Sequence, residues 1–204
     1  RRGGEGRPVL VMPVTAHPAF AKAAHLLGLD LRMVPVDTPT MRVRPESIEE
    51  ALDEEGAAVA LVVVSAPSYA HGVVDPVAEV AALAAARGVP CHSDACIGGL
   101  VLPYLRRAGR PVPEFDLSVP GVRSLSVDLH KYGYATKGTS LLLYSDTEYR
   151  LGSYFTYSTW PGYPVVNTTL QSTKSAGPMA AAWAVSRILG DEGYAAAASR
   201  AIAA

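Results

Sequence analysis

The sequence predicts an α/β fold in which a mainly parallel β-sheet is flanked by helices. Short apolar runs alternate along the chain with alanine-rich segments of helical character, which is typical of repeated βαβ units. The clearest apolar run, residues 58–65 (AVALVVVS), is continuous and rich in β-branched side chains. Such a run suits a strand that is covered on both faces, as the strands of a parallel sheet are.

Each predicted strand is a short apolar run, and the predicted helices lie between these runs and in the C-terminal tail. In chain order the strands are residues 8–13, 31–36, 58–65, 89–94, 122–127 and 140–144. The helices are residues 18–27, 45–54, 76–87, 178–189 and 192–204. Pro45 and Pro76 suit first helical positions. Asp75 is predicted to cap the third helix, and Gly88 to end it.

The composition narrows the classes of protein to which the chain can belong. Its 204 residues carry a formal net charge of −1, so the basic excess that is usual in a nucleic-acid-binding protein is absent. No apolar run reaches the roughly 18 residues needed to span a bilayer, and no apolar stretch follows the basic start as in a signal peptide. Two cysteines, Cys91 and Cys96, are too few for a disulfide framework, so we expect both to stay reduced in a cytoplasmic protein.

Both ends of the chain have the pattern of an interrupted domain. The chain opens almost directly into a strand and ends inside an alanine-rich helical stretch that has no stop signal. Residues 1–190 are predicted to form a large domain without its upstream part, and residues 191–204 to begin a truncated C-terminal helical region. We therefore expect a partial chain.

Polar residues follow three of the predicted strands, at the position where parallel sheets bind their ligands. His17 follows the first strand, Asp94 ends the fourth, and His130 and Lys131 follow the fifth. A lysine amine can form a Schiff base with the aldehyde of pyridoxal phosphate, and an aspartate can keep the pyridine nitrogen of that cofactor protonated. An imidazole against the ring face would fix the tilt of the ring. The strand ends together predict a pyridoxal-phosphate site.

The same residues also have other interpretations. His92, Asp94 and Cys96 share one strand face and could hold a metal ion, although no second ligand pair with the usual spacing is visible. Asp94 or His17 could instead cap a helix, and Cys96 could be a small buried apolar residue. Residues 3–6 (GGEG) are not a dinucleotide-binding fingerprint, because no strand precedes them.

Four segments, in order along the chain, carry longer motifs. They are VTAHPAF (14–20), SAPSYAHGVVDPVAEVAALAAARGVPCHSDACIGGLVLPYL (65–105), SVDLHKYGYATKGTSLLLY (126–144) and YFTYSTWPGYP (154–164). These segments resemble the sphingosine phosphate lyase branch of the group II pyridoxal-phosphate decarboxylase family. The resemblance implies that Lys131 is the Schiff-base lysine, that Asp94 faces the pyridine nitrogen and that His17 stacks on the ring. It also implies that His130 lies near the cofactor phosphate and Lys137 near the phosphate end of the substrate.

The resemblance further implies a lyase that cleaves a phosphorylated long-chain amino alcohol into a fatty aldehyde and phosphoethanolamine. Because the pocket of the family lies at a dimer interface, it implies a homodimer in the full-length protein; an N-terminal membrane anchor, which some members carry, would lie outside this chain. The alternatives are an amino-acid decarboxylase that uses the same residues and a truncated inactive relative. The family has proline in place of Thr136 and a Gly-Ser-Arg-Pro-Gly-like stretch in place of residues 171–177 (QSTKSAG). These departures bear on substrate specificity. The stretch contains Lys174 where the family has an arginine, and a lysine cannot reproduce the planar, forked set of hydrogen-bond donors of a guanidinium group.

Overall fold

The structure, a computed structural model, describes residues 6–203. Its strands are β1 (Val9–Pro13), β2 (Asp30–Val34), β3 (Val36–Asp37), β4 (Arg42–Val43), β5 (Val59–Ser65), β6 (Cys91–Asp94), β7 (Val122–Asp128), β8 (Ser140–Tyr144), β9 (Phe155–Tyr157) and β10 (Val165–Asn167). Its helices are α1 (Ala19–Leu27), α2 (Pro45–Glu55), α3 (Val77–Ala86), α4 (Leu102–Arg107), α5 (Thr147–Leu151) and α6 (Ala176–Ala203). Two short 3₁₀ turns lie at Gly56–Ala58 and Gly98–Leu100.

Six of the strands form the central sheet, in the order β2-β1-β5-β6-β7-β8. The first five of these run parallel to their neighbours, and β8 pairs antiparallel with β7. The prediction of a mainly parallel sheet flanked by helices is therefore confirmed. Because parallel strands end on the same side, the last residues of β1, β5, β6 and β7 lie together with the loops that follow them. We call this region the C-terminal end of the sheet.

Helices cover both faces of the sheet, and successive strand side chains alternate between the two faces. On one face, Val62 and Val64 of β5 pack in the larger hydrophobic cluster with residues of α2 and α3. On the other face, Val63 packs with Leu10 and Met12 of β1 and with residues of α1. This alternation is the period of two that a strand imposes, and it determines which strand side chains face α1.

The predicted sheet strands are all present, with ends shifted by no more than two residues. The two predicted tail helices form α6, and Gly190, at φ 56° and ψ −172°, interrupts the helical backbone between them. Helices α4 and α5 and the two small antiparallel pairs β3-β4 and β9-β10 were not predicted. Residues 3–5 of the glycine-rich start, and Ala204, lie outside the described residues. Within residues 6–203, no helix is both long and apolar enough to cross a bilayer.

The prediction that Asp75 caps the third helix is wrong. The carboxylate of Asp75 is buried, at 1 % exposure, and accepts hydrogen bonds from the backbone N–H of Ser65 at 2.8 Å and of Val43 at 3.5 Å. Asp75 also donates its own N–H to the carbonyl oxygen of Ser65. The side chain therefore ties the end of β5 to β4 and to the start of α3, a long-range role that the local Asp-Pro pattern does not reveal.

Replacing Asp75 with alanine is expected to lower the free energy of unfolding by about 2 kcal/mol, because it leaves two buried N–H groups without acceptors. Urea denaturation would measure the loss. Asp53→Ala is the matched control: Asp53 forms an exposed ion pair with Arg87 and is expected to cost less than about 1 kcal/mol. Equal losses in the two variants would contradict the role given to Asp75.

Candidate active site

The C-terminal end of the sheet brings together polar residues from three neighbouring strands. Ser65 of β5 is paired in register with Asp94 of β6, and Asp94 is paired with Ser126 of β7. Side chains at matched positions of neighbouring strands point to the same face of a sheet. The ring of Phe20 from α1 lies edge-on to His92, with 5.7 Å between centroids, and His92 shares its strand face with Asp94. The three matched side chains therefore face the α1 layer.

Lys131 lies in the turn that follows β7. Its Nζ is 3.1 Å from Oδ2 of Asp128, the last residue of β7, and the lysine side chain is 31 % exposed. The hydroxyl of Ser140 on β8 donates a hydrogen bond to the other carboxylate oxygen of Asp128. Burial alone would raise the pKa of Asp128, but the hydrogen bonds from Ser140 and Lys131 outweigh it and lower that pKa below its usual value. Lys131 is thus held beside an ionised carboxylate at the sheet end.

His130 contacts the same carboxylate. Its Nδ1 is 2.8 Å from the carbonyl oxygen of Thr139, and because a carbonyl only accepts, Nδ1 carries the proton of this bond. Its Nε2 lies 3.7 Å from Oδ2 of Asp128. Asp128 therefore brings His130 and Lys131 together, and in neutral His130 the nitrogen that can accept a proton is Nε2.

Asp94 lies next to this group, on the neighbouring strand. Its Oδ1 accepts hydrogen bonds from the backbone N–H of Cys96 and from the hydroxyl of Ser126, each at 3.1 Å. The bond from Cys96 resembles a local cap, whereas the bond from Ser126 crosses to β7. Asp94 is half-buried and fixed by both contacts.

His17 lies in the loop between β1 and α1, two residues before the helix begins. Its Nδ1 accepts a hydrogen bond from the N–H of Ala19 at 3.2 Å, and its ring lies edge-on to Tyr69, with 6.3 Å between centroids. With Tyr69 and His71 it lines a cavity of about 400 Å³. The contact with Ala19 is local, and the N-cap residue of α1 is Pro18 and not His17. Stacking of His17 on the cofactor ring stays a prediction.

Lys137 lies in the exposed turn between β7 and β8, beside Gly138, whose φ is 92°. Within the described residues its side chain makes no hydrogen bond or ion pair, and the structure does not bring it into contact with Lys131 or Asp94. Its assignment to a substrate phosphate stays a prediction.

The sequence analysis assigned no role to the polar side chains of β7. Ser124, Ser126 and Asp128 alternate along the strand with apolar residues, so all three point to one face. That face carries the hydrogen bonds to Asp94, His92 and the lysine turn. The period of two in residues 124–128 is the sequence signal that predicts this polar face.

Both cysteines are free, and burial raises the pKa of each thiol to about 12. For Cys96, the negative charge of Asp94 adds to the effect of burial. Among residues 6–203, no group of three or more His, Cys, Asp or Glu side chains is placed to hold a metal ion. His92, Asp94 and Cys96, which share a strand face, therefore do not form a metal centre in this part of the chain.

Because the thiolate is the reactive form of cysteine, Cys91 and Cys96 are expected to resist a disulfide reagent at pH 8. Their rates should be roughly a hundredfold or more below those of the same chain in urea, since each unit of pKa changes the thiolate fraction about tenfold. Thiol titration in the native and unfolded states measures both rates. If Cys96 of the folded protein reacted as fast as Cys96 in urea, the prediction that burial protects this thiol would be contradicted.

A lysine and an aspartate at the C-terminal end of a mainly parallel sheet, with histidines beside them, define the class of fold type I pyridoxal-phosphate enzymes. The chain belongs to the pyridoxal-dependent decarboxylase family: the model of the conserved domain of that family matches residues 4–203. The chain is 38% identical over 188 residues to sphingosine-1-phosphate lyase of Dictyostelium discoideum, and this alignment covers 92% of the chain and 35% of that protein. It is 43% identical over 162 residues to a probable sphingosine-1-phosphate lyase of Legionella pneumophila, and this alignment covers 79% of the chain and 26% of that protein.

Solved structures give the same grouping. The sphingosine-1-phosphate lyase of Burkholderia pseudomallei superposes with a TM-score of 0.90 at 41% identity, over 95% of this chain and 44% of that chain. Glutamate decarboxylase of Lactobacillus brevis superposes with a TM-score of 0.77 at 20% identity, over 94% and 43%, which shows a shared fold alone. The chain spans about a third of the length of the curated relatives it matches.

The cofactor of the family is pyridoxal phosphate, and the residues at the C-terminal end of the sheet fit it. Three buried hydroxyl oxygens there, those of Thr15, Ser65 and Ser68, have no hydrogen-bond partner within the described chain. Buried polar atoms without partners are costly, and a polar ligand can satisfy them. Together with the amine of Lys131 and the carboxylate of Asp94, they give a donor set suited to a phosphorylated, aldehyde-bearing pyridine.

Proposed function

We propose that the chain is the cofactor-binding part of a pyridoxal-phosphate-dependent carbon–carbon lyase. Its substrate is a phosphorylated long-chain amino alcohol, and its products are a fatty aldehyde and phosphoethanolamine. The observation that carries the proposal is the placement of Lys131, beside Asp128, next to Asp94 at one end of the sheet. The choice of substrate is supported by identities of 38% to 43% with sphingosine-1-phosphate lyases.

In this proposal Lys131 would hold the cofactor covalently through its amine. Asp94 would bind the pyridine nitrogen, and His17 would bind the ring. When bound, the cofactor serves as the electron sink for the pair left by the broken carbon–carbon bond. Asp128 orients Nζ of Lys131, and that amine must leave the carboxylate and lose a proton before it can act as a nucleophile. His130 can accept a proton at Nε2; it and Lys137 are our candidates for the base that takes the proton of the substrate hydroxyl.

An amino-acid decarboxylase is the second candidate, favoured by the description of the matching family model. The same Lys131 and Asp94 would serve, but the broken bond would be the one to a carboxylate. The products distinguish the two reactions, because one releases an aldehyde and the other carbon dioxide.

The test is product analysis with added pyridoxal phosphate, on this chain and in parallel on the complete product of its gene. Sphinganine 1-phosphate should yield hexadecanal and phosphoethanolamine in equal amounts, which mass spectrometry detects. Carbon dioxide from an amino acid, without aldehyde, would replace the proposal with the second candidate. No product from either substrate in either sample would indicate an inactive relative.

We also propose that Lys137 binds the phosphate of the substrate, because its exposed ammonium has no partner of its own among the described residues. Lys137→Gln is expected to lower kcat/KM for the phosphorylated substrate by roughly tenfold to a hundredfold, the effect of losing one charge-assisted contact. Steady-state kinetics would measure the loss, and Lys22→Gln, an exposed lysine on α1, is the matched control. A loss in Lys137→Gln no larger than in the control would remove Lys137 from the site.

Three further assignments belong to the proposal. We propose a homodimer for the complete protein, by analogy with the family, and a reducing compartment such as the cytoplasm, because Cys91 and Cys96 are unpaired. We propose the division into a large domain (1–190) and the start of a C-terminal region (191–204). The break of α6 at Gly190 supports this boundary.

A further inference from the structure

Behind Asp94 lies a chain of hydrogen-bonding side chains that the proposed mechanism does not use. The hydroxyl of Ser126 is 3.1 Å from Oδ1 of Asp94, 3.2 Å from Nε2 of His92 and 3.2 Å from Sγ of Cys96. The other ring nitrogen of His92, Nδ1, is 2.8 Å from the hydroxyl of Ser124. The four contacts join β6 to β7 along one face of the sheet.

The number of protons on each group fixes the direction of every bond. Because a carboxylate only accepts hydrogen bonds, the hydroxyl of Ser126 donates its single proton to Oδ1 of Asp94. The oxygen of Ser126 must then accept from Nε2–H of His92 and from the thiol of Cys96, which fills its two acceptor sites. With its proton on Nε2, neutral His92 accepts at Nδ1 from Ser124. The bonds therefore run in one direction, from Ser124 through His92 and Ser126 to Asp94.

The surroundings of His92 keep this arrangement in place. His92 is 6% exposed, and the ring of Phe20 packs edge-on against it. Burial lowers the pKa of His92, although the charge of Asp94 opposes the effect, so the ring stays neutral and keeps one tautomer. The other ionisable groups that act on this cluster are Cys96, whose thiol stays protonated, and Asp128, whose charge reaches Cys96.

We infer that Ser126 and His92 are positioning residues for Asp94: their hydrogen-bond chain holds the carboxylate in a fixed orientation toward the pyridine nitrogen of the cofactor. A hydroxyl donor binds a carboxylate oxygen strongly, and a donor whose own oxygen is polarised by a further bond does so more strongly. The chain of hydrogen bonds ends on Oδ1 of Asp94. The inference rests on the proposed function only in naming the pyridine nitrogen as what Asp94 faces.

The test is the ¹³C NMR signal of the Asp94 carboxyl carbon, recorded on the full chain at pH 7 without cofactor and assigned with Asp94→Asn. Ser126→Ala is expected to shift this signal, because it removes the hydrogen bond to Oδ1. His92→Phe should give a smaller shift, because Ser126 keeps its proton but loses the polarising bond. Ser126→Thr, which retains the hydroxyl, should restore the parent signal.

Ser93→Ala is the matched control, since Ser93 is a buried serine on β6 whose hydroxyl has no partner in the described chain and whose side chain faces away from Asp94. It should leave the carboxyl signal of Asp94 unchanged. If Ser126→Ala fails to fold, Ser126→Cys keeps a similar volume with a weak donor and should shift the signal in the same direction. A shift in the Ser126 variants no larger than that in Ser93→Ala would overturn the inference.

A second readout connects the chain to the cofactor. The Kd for pyridoxal phosphate, from quenching of tryptophan fluorescence, should rise about tenfold in Ser126→Ala and return in Ser126→Thr, the scale of losing one hydrogen bond to a charged group. Because the NMR measurement needs neither cofactor nor substrate, it separates the two ideas. A shifted carboxyl signal without aldehyde production would retain the positioning role and reject the lyase, whereas aldehyde production with an unshifted signal would do the reverse.

Discussion

Replacing Lys131 with alanine is expected to abolish covalent attachment of pyridoxal phosphate and to lower lyase turnover by about a thousandfold or more, the scale seen when a covalent nucleophile is removed. The reason is that Lys131 supplies the amine at the C-terminal end of the sheet, with Nζ 3.1 Å from Oδ2 of Asp128, in the turn after the strand that neighbours Asp94. The parent protein with added cofactor should show a visible absorption band that borohydride fixes. Peptide mass spectrometry should then find the label on the fragment that contains residue 131.

Lys22→Ala is the control for Lys131→Ala, because Lys22 is an exposed lysine on α1 and should keep both label and turnover. A label that persists in Lys131→Ala would move the attachment point to another lysine. Absence of the band in this chain, but its presence in the complete gene product, would mean that residues beyond this chain complete the cofactor site. Absence of a band dependent on Lys131 in both would reject the cofactor assignment.

The second large effect is expected for Gly98→Ala, in the 3₁₀ turn after β6. A Cβ at this position would lie 2.1 Å from the carbonyl oxygen of Ala66 and 2.7 Å from Cδ1 of Leu102. Ala66 is fully buried at the end of β5, and its oxygen is a backbone atom that no rotamer change can move. We expect the free energy of unfolding to fall by about 3 kcal/mol or more, at or beyond the upper range of overpacking costs. Urea denaturation would measure the fall.

Gly177→Ala is the matched control. A Cβ there would meet only Oγ of Ser175, at 3.6 Å, and the residue lies in α6, where alanine should increase stability by about 0.5 kcal/mol. If Gly98→Ala unfolds at the same urea concentration as the parent, the turn after Asp94 does not need this close approach, and the carboxylate is held by its hydrogen bonds alone.

The central sheet could be predicted because its strands carry their own signal. A run such as residues 59–65 is apolar on both faces, and only a covered strand suits that pattern. The elements that were missed lack such a signal. Strand β9 has three exposed residues, and α4 has six residues with a proline among the first, so neither gives a period long enough to recognise.

The candidate site was predicted in part, because sequence motifs name residues but not the groups they contact. Lys131, Asp94 and His130 lie at the C-terminal end of the sheet, as their positions after β6 and β7 required. The pairing of Ser126 with Asp94 depends on strand register, which the local sequence does not encode, whereas Asp128 lies only three residues before Lys131. Asp75 shows this limit most clearly. Its Asp-Pro pattern is typical of a helix cap, but its carboxylate oxygens accept hydrogen bonds from the backbone N–H groups of Ser65 and Val43, which are ten and 32 positions away.

The buried carboxylate of Asp75 gives the protein an uncommon response to acid. Burial raises its pKa in the folded chain, against the lowering effect of the hydrogen bonds from Ser65 and Val43. Between the ordinary value of 3.8 and the raised one, the native state holds a proton that the unfolded chain releases, so this residue contributes less to stability as the pH rises through that interval. Asp128 has the opposite sign: its pKa is lowered, and its contribution is lost as the pH falls below 3.8 and through the lowered value. Mild acidification would therefore increase the contribution of Asp75 to the stability of the folded state. It would do so at a pH where the carboxylate of Asp128, which holds Lys131, is still ionised.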